Sequence, residues 1–208
     1  MIRIIDQASR LRYRDTLDKH FRFRHDIFIK ELGWNDFDVD GEREQDPYDD
    51  HNAVYCVSLA ANDRVVGCLR LYPSTEPHML SEVFDYLVEG PVPEQSDVVE
   101  MTRLGIARDK RLGPTYYEMF AGLQEYCLEE GFIGATAVIK ANRVPVVQSA
   151  GMIVHPLGLP RDVEGDKLIA VMYEINEGSL VELRRNGGLT GPVLERSMPV
   201  EDIVRLRA

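Results

Sequence analysis

The sequence has no apolar run of membrane-spanning length; the longest, residues 53–61, stops far short of the roughly 20 residues a bilayer helix needs. Its opening, Met1-Ile2-Arg3-Ile4-Ile5-Asp6, lacks the apolar core of a secretory leader, so a cytoplasmic protein is expected. Cysteine is sparse. Cys56, Cys68 and Cys127 are odd in number and without C-x-x-C spacing, and read as reduced, buried thiols rather than a disulfide or zinc framework. His20, His25, His51, His78 and His155 show no paired ligand spacing, so no metal is implied. The common catalytic signatures are missing as well: no G-x-S-x-G, no H-E-x-x-H, no Walker loop and no G-x-G-x-x-G, which removes the best support for hydrolase and nucleoside-triphosphate chemistry. Positive charge is short. A net charge of -11 excludes the broad cationic surface nucleic acid requires, and an acidic partner would need a local basic patch to dock on.

What is present suits one domain with its own hydrophobic core, since 208 residues bury enough surface without staples. Residues 2–5 predict a short strand, and 11–30 a helix that places Arg24 and Phe28 one turn apart on one face. Residues 33–52 form an acidic loop whose aromatics Trp34, Phe37 and Tyr48 point to an ordered, functional segment. Strands at 53–61 and 64–72 are separated by Asn62-Asp63, a tight-hairpin composition; if those two are the whole turn, Cys56 faces Leu69 and not Cys68. A short helix at 78–87, a strand at 98–107 and an amphipathic helix at 116–130 opened by Pro114 follow. Then come a strand at 135–139, a helix at 143–150 ended by Gly151, strands at 153–157 and 167–175, and a helix at 181–185. The alternation fits a mixed central sheet flanked by helices, without repeats; the tail over 187–208 has no clear pattern.

The chemistry-bearing residues are charges set in apolar elements: Arg24 on the first helix, Arg70 in Val65-Val66-Gly67-Cys68-Leu69-Arg70-Leu71-Tyr72, and Glu100 and Arg103 in Val98-Val99-Glu100-Met101-Thr102-Arg103-Leu104-Gly105-Ile106. Buried ions must be paired, so these meet one another or a charged ligand; a purely structural ion network is the competing reading. In a regular strand Glu100 and Arg103 face opposite sides, so if both serve one pocket a bulge lies between them.

Arg24-His25-Asp26-Ile27-Phe28, Leu32-Gly33-Trp34, Glu44-Gln45-Asp46-Pro47-Tyr48-Asp49, Val66-Gly67-Cys68-Leu69-Arg70-Leu71, Pro77-His78-Met79-Leu80-Ser81-Glu82-Val83-Phe84 and Glu100-Met101-Thr102-Arg103 together resemble the ordered signature of the acyl-homoserine-lactone synthases. The match spans residues 21–107; beyond it the resemblance is loose and rests on pattern and the Ala150-Gly151 turn. Thr102 stands where that family more often has serine and keeps the hydroxyl.

The resemblance implies a single-domain three-layer α-β-α sandwich of the N-acetyltransferase type, its mixed sheet splayed into a V-shaped gap for a thioester arm. It implies two substrates, S-adenosylmethionine and an acyl thioester on acyl carrier protein or coenzyme A, no cofactor, and release of methylthioadenosine as the lactone closes. Glu100 would be the base for the amine, and Arg103 or Arg24 would hold the carboxylate. Asp46 and Asp49 would favour the sulfonium and amine, while Trp34 and Phe28 pack on the cation or adenine. Arg70 would brace the acidic loop, and Phe84 and Thr102 complete the substrate-binding set. The acyl pocket would lie between the later strands and the helix at 119–128. Alanine at 137, where members taking 3-oxo chains often have threonine, disfavours a 3-oxo substrate. Lys110-Arg111-Leu112-Gly113-Pro114-Thr115 sits where the relatives keep a pantetheine-phosphate loop, although Pro114 removes one donor. Arg108, Lys110, Arg111, Lys140 and Arg143 form a basic cluster suited to an acidic carrier protein. Two rivals share much of this pattern: an N-acetyltransferase using acetyl-coenzyme A on an unrelated amine, and a ligand-binding homologue without turnover.

Overall fold

The β-branched and aromatic runs assemble one eight-stranded sheet in the computed structural model, which describes residues 1–111 and 113–195. Leu112 and the end of the tail, 196–208, lie outside the described residues. The strands are β1 (Ile2–Ile5), β2 (Val54–Leu59), β3 (Val65–Pro73), β4 (Val98–Ile106), β5 (Gly134–Lys140), β6 (Val154–Pro156), β7 (Arg161–Val163) and β8 (Asp166–Glu174). Their spatial order is β1-β2-β3-β4-β5-β8-β6, with β7 also pairing β8. Every pair is antiparallel except β4–β5, which needs a crossover and obtains it through helix α3 (Thr115–Glu130).

That parallel pair creates the central feature. β4 is nine residues long and β5 seven, yet they pair only at Val98↔Gly134, Val99↔Ala135 and Glu100↔Thr136. Past Glu100 the two strands part, giving the expected V-shaped gap. One sheet face carries Cys56, Leu69, Leu71, Met101, Ala135, Ala137, Val171 and Tyr173 beneath α3, α4 (Val144–Ala150) and α5 (Glu177–Gly187). The opposite face carries Tyr55, Val57 and Tyr72 under α1 (Arg14–Arg24), and Ala170 under α2 (Met79–Glu82). The domain is therefore the three-layer mixed α/β sandwich anticipated from the sequence.

Local departures have physical causes. The first helix begins at Arg14, because Asp6 accepts the Ser9 backbone N–H at 2.9 Å in a preceding turn, and it continues past Arg24 as a π-helical stretch, His25–Glu31. The segment at 78–87 is two short pieces, α2 and a 3-10 turn at Asp85–Leu87. The β2–β3 turn has three residues, not two: Asp63 adopts φ +57° and donates its N–H to Ala60. A compensating irregularity between Ser58 and Leu59 restores the register, so Cys56 does face Leu69. Strand β7 was not anticipated; its exposed Arg161-Asp162-Val163 has no apolar alternation to betray it and is joined to β8 through Glu164 and Gly165, both at positive φ.

Candidate active site

Arg24, Arg70 and Arg103 come from a helix end and two neighbouring strands, and each brings a full charge into an apolar interior. The acidic loop between the first helix and β2 supplies the counter-ions. Arg24 Nε lies 2.5 Å from Glu44, and its two Nη atoms 2.7 and 2.9 Å from Asp49. Arg70 forms a fork on Asp46 at 2.5 and 3.0 Å, also reaches Asp49 at 3.1 Å, and donates from Nε to the Thr102 hydroxyl at 3.0 Å. Arg103 meets Glu44 at 2.9 Å and Asp46 at 2.6 Å. The result is a closed ring of alternating charge, Arg24–Glu44–Arg103–Asp46–Arg70–Asp49 and back to Arg24, neutral in sum and buried. Neutrality lets six ions share one low-dielectric site, since each is paired on two sides.

Arg103 joins the ring only because β4 is irregular. The β3–β4 register shifts between Cys68 and Arg70, leaving Arg103 and Leu104 opposite Leu69, and Arg103 takes φ +54°. A left-handed conformation at a non-glycine residue costs about 1–2 kcal/mol. The bulge thus falls at Arg103 itself and turns its side chain to the face of Arg70 and Thr102. Cys68 donates its thiol to the Arg103 carbonyl at 3.3 Å, and burial pushes that thiol up to about 12. Glycine at 105 lets this corner close up: a Cβ there would stand 2.9 Å from Ile27 Cδ1 and 3.2 Å from Cys68 Sγ, so those side chains would have to shift.

The three arginines are not equivalent. Desolvation works against the charge of each, but the carboxylates outweigh it at Arg24 and Arg70, whose pKa values are raised. At Arg103 desolvation prevails and the pKa is lowered. Its Nη2, though close to Asp46, makes no hydrogen bond of good geometry among the described residues. The same guanidinium lies 5.6, 5.3 and 5.0 Å from the ring centres of Phe28, Trp34 and Phe37. Phe28 and Trp34 stack on each other at 5.1 Å and 17°, while Trp34 remains 42% exposed. Arg103 is therefore the least satisfied member of the ring and the one nearest an aromatic opening. Asp49 is the opposite case: burial would raise its carboxyl, but Arg24 and Arg70 hold it well below the usual carboxylate range, and Tyr55 donates to it at 3.1 Å. His20 is packed between Phe21 and Tyr55 behind the ring, kept neutral by burial and by Arg24.

Glu100 stands apart from the ring, on the last paired position before β4 and β5 separate. It accepts the backbone N–H groups of Met79 at 3.2 Å and Leu80 at 2.6 Å. Burial nevertheless raises its pKa above the ordinary carboxylate value, against the opposing effects of His78, the two amides and Arg70. A buried carboxyl with a raised pKa at the mouth of a gap is suited to taking a proton.

The structure thus brings together Arg24, Asp46, Asp49, Arg70, Thr102 and Arg103, with Phe28 and Trp34 beside them and Glu100 on the adjoining strand position. Phe84 is elsewhere, packed with Tyr86 and the Leu80–Leu87–Ala170 cluster. Glu44 was absent from the sequence-derived site and proves to join two of its arginines. Charge counting could not have found it, because Asp46, Asp49 and Glu100 already balance the three arginines on paper; the fold puts Glu100 outside the ring and Glu44 in the third anion's place. The basic cluster is largely spoken for: Arg108 and Arg111 pair with Glu31 at 3.5 and 2.7 Å, and Lys140 with Asp166 at 2.8 Å, leaving Lys110 and Arg143 outside these pairs. The phosphate-loop segment is described on both sides of Leu112 only. Among the described residues no group of three His, Cys, Asp or Glu side chains is arranged to hold a metal, and no helix is long and apolar enough to cross a membrane.

Comparison with known proteins gives a consistent picture. The autoinducer synthase family model matches residues 8–183. An isovaleryl-homoserine lactone synthase from Bradyrhizobium diazoefficiens is 37% identical over 207 residues, covering 99% of this chain and 94% of that protein. A solved structure of a CoA-dependent acyl-homoserine lactone synthase, BjaI, with SAM and isopentyl-CoA superposes with a TM-score of 0.89 at 36% identity, over 100% of this chain and 98% of that one. A putative N-acetyltransferase from Lactobacillus plantarum shares the fold alone, with a TM-score of 0.58 at 16% identity, covering 84% and 99% of the two chains.

Proposed function

The chain belongs to the autoinducer synthase family, and from that premise we propose that it acylates the amine of S-adenosylmethionine from an acyl-coenzyme A and closes the product to an N-acyl-homoserine lactone. The observation that carries this reading is the position of Glu100, between a neutral ring of alternating ions and the point where β4 and β5 part. A zwitterion can enter such a ring by exchange. The substrate carboxylate takes over Arg103, whose Nη2 lacks a well-formed hydrogen bond, and the sulfonium replaces the guanidinium against Phe28, Trp34 and Phe37. No net charge is added to the interior by that exchange, apart from the sulfonium, which sits at the aromatic side.

In the first step the amine nitrogen attacks the thioester carbonyl carbon, its proton passes to Glu100, and the C–S bond breaks to release coenzyme A as the thiolate, which takes that proton back from Glu100 and leaves as the thiol. An α-amine titrates near ~7.7–8.0, so a carboxylate of raised pKa needs to shift that equilibrium only modestly. Backbone N–H groups on the edge of β4 that faces the gap supply donors for the oxyanion. In the second step the substrate carboxylate attacks the carbon bonded to sulfur, and methylthioadenosine leaves as a neutral thioether. The ring's task there is to release the carboxylate in a folded geometry, since an intramolecular displacement needs little beyond proximity. S-adenosylmethionine is consumed, so the reading needs no cofactor, and it carries with it the expectation of a cytoplasmic enzyme.

Coenzyme A is preferred over acyl carrier protein as donor because three of the five basic residues that would dock an acidic carrier are already paired, on a chain of net charge -11. An N-acetyltransferase reading would leave the ring and the aromatic wall without a task. The donor assignment is tested by initial rates with one acyl group presented on coenzyme A and on acyl carrier protein. At least tenfold higher kcat/KM with coenzyme A is expected; a reversed preference would overturn it.

A further inference from the structure

The six ions of the ring neutralise one another, which leaves Glu100 as a buried carboxyl outside any ion pair among the described residues. The Met79 and Leu80 amides ease the cost of its charge without balancing it. Arg70 is already committed to Asp46, Asp49 and Thr102. Of the other titratable groups around the carboxyl, Tyr48 donates to Glu82 at 2.8 Å, and Tyr72, opposite Glu100 in the register, donates to Asp50 at 2.9 Å. None of these brings an uncommitted positive charge.

His78 can. Glu100 accepts the Met79 N–H at 3.2 Å, one peptide bond from His78, so its carboxylate lies within about 6 Å of the His78 Cα. The imidazole is fully buried at the start of α2. Its Nδ1 lies 2.9 Å from the Glu76 carbonyl oxygen, which only accepts, so Nδ1 carries a hydrogen. Ser81 Oγ, 3.1 Å from the same nitrogen, directs its own hydrogen to the His78 carbonyl at 3.0 Å. Nε2 has no hydrogen-bond partner among the described residues. A helix cap alone needs only the Nδ1 side of the ring and leaves a buried Nε2 unexplained. Burial raises the Glu100 pKa, and among the groups opposing it His78 comes first, ahead of the two amides and Arg70.

We propose that His78 is the counter-ion of the base: Nε2 carries a proton while Glu100 is ionised, so that this pair, like the ring, is neutral in sum. His78 is then a positioning residue that keeps Glu100 charged and ready for the amine proton. Its part in turnover rests on the acyl-transfer reading above, whereas the pairing is a property of the resting protein. Once Glu100 has taken the amine proton, the imidazolium stands unpaired beside it and favours return of that proton to the departing thiolate. Nε2 itself exchanges no proton with substrate.

The pairing is tested on ligand-free protein labelled with nitrogen-15 in histidine, with the His78 resonances identified by their loss in His78→Gln. At neutral pH both ring nitrogens of His78 should be protonated in the wild type, and Nε2 should lose its proton in Glu100→Gln. An unprotonated Nε2 in the wild type, or one unaffected by Glu100→Gln, overturns the proposal whether or not His78→Gln is active. The role in turnover is tested by kcat against pH. In His78→Gln the limb that rises with pH should move to higher pH by about one unit or more, while the KM for S-adenosylmethionine stays within about twofold. Adding His78→Gln to Glu100→Gln should cost less than about twofold in kcat, because His78 acts through the carboxylate. An unmoved limb or an additive loss overturns that role. Absence of methylthioadenosine with every thioester overturns the functional reading, and the Nε2 resonance then still decides the pairing.

Discussion

Glu44 presents one carboxylate oxygen to Arg103 Nε at 2.9 Å, and this contact ties the acidic loop to the bulge in β4. Its other oxygen is bonded to Arg24, and the residue is 0% exposed. Removing that charge leaves two buried guanidinium groups facing one fewer anion. Breaking a buried ion network in this way costs on the order of 3 kcal/mol. Glu44→Gln should lower the stability measured by urea unfolding by about that amount, and should weaken S-adenosylmethionine binding because the bulge loses its anchor. A variant as stable as the wild type would show that the ring contributes nothing to holding the loop.

Asp49 gives the ring a pH signature. Its folded pKa lies below the unfolded value of ~3.9, so its contribution to stability is fully present above that value and is lost as pH falls through the folded one. Asp49→Asn should be clearly less stable than the wild type at pH 7, and the gap should narrow as pH drops below about 4. Urea midpoints at several pH values read this directly. A gap independent of pH would contradict the pairing with Arg24 and Arg70.

Trp34 is the sole tryptophan in the chain, and its indole is stacked on Phe28 at the exposed side of Arg103. Adding S-adenosylmethionine or methylthioadenosine should change its fluorescence saturably. Trp34→Ala should raise the Kd by roughly tenfold while costing under about 1 kcal/mol of stability, since little of the residue is committed to the core. An unaltered Kd measured by calorimetry would remove the aromatic wall from the binding site.

Much of this arrangement is legible in the sequence because charges inside apolar strands are conspicuous. Arg70, Glu100 and Arg103 each interrupt a run of β-branched or aliphatic residues, and the alternation of strands and helices fixes the layer order. Glu44 was hidden for the converse reason: it sits in Asp40-Gly41-Glu42-Arg43-Glu44, where acidic residues are unremarkable, and backbone contacts carry it inward, an isolated bridge to Asp38 and its own N–H donated to the Phe21 carbonyl at 3.2 Å. The bulge was inferable from parity, since Glu100 and Arg103 are three residues apart, but its position at Arg103 depends on a positive φ that no side chain advertises. The π-helical stretch at His25–Glu31 and the three-residue turn at Asp63 are likewise backbone choices, made by packing rather than by residue type.

Glu100 separates chemistry from binding. Glu100→Gln should retain S-adenosylmethionine affinity yet lose about 10²–10⁴-fold in acyl transfer, whereas Arg103→Ala should raise the KM for S-adenosylmethionine. Because burial raises the Glu100 pKa, its charged form opposes folding: the favourable state is the protonated one, lost as pH rises through the folded pKa. The glutamine variant should therefore be no less stable than the wild type at neutral pH. The wild-type kcat should rise with pH through a pKa above the usual carboxylate range, and that limb should vanish in Glu100→Gln. Equal turnover in both proteins would dismiss Glu100 as the base.

The most direct measurement is product stoichiometry. Purified protein supplied with S-adenosylmethionine and acyl-coenzyme A is followed for free thiol, methylthioadenosine and N-acyl-homoserine lactone by mass spectrometry. Equimolar appearance of all three is the expected result. Thiol release with an acylated amine but no methylthioadenosine, or no thiol release above the uncatalysed rate, would contradict lactone synthesis by this site.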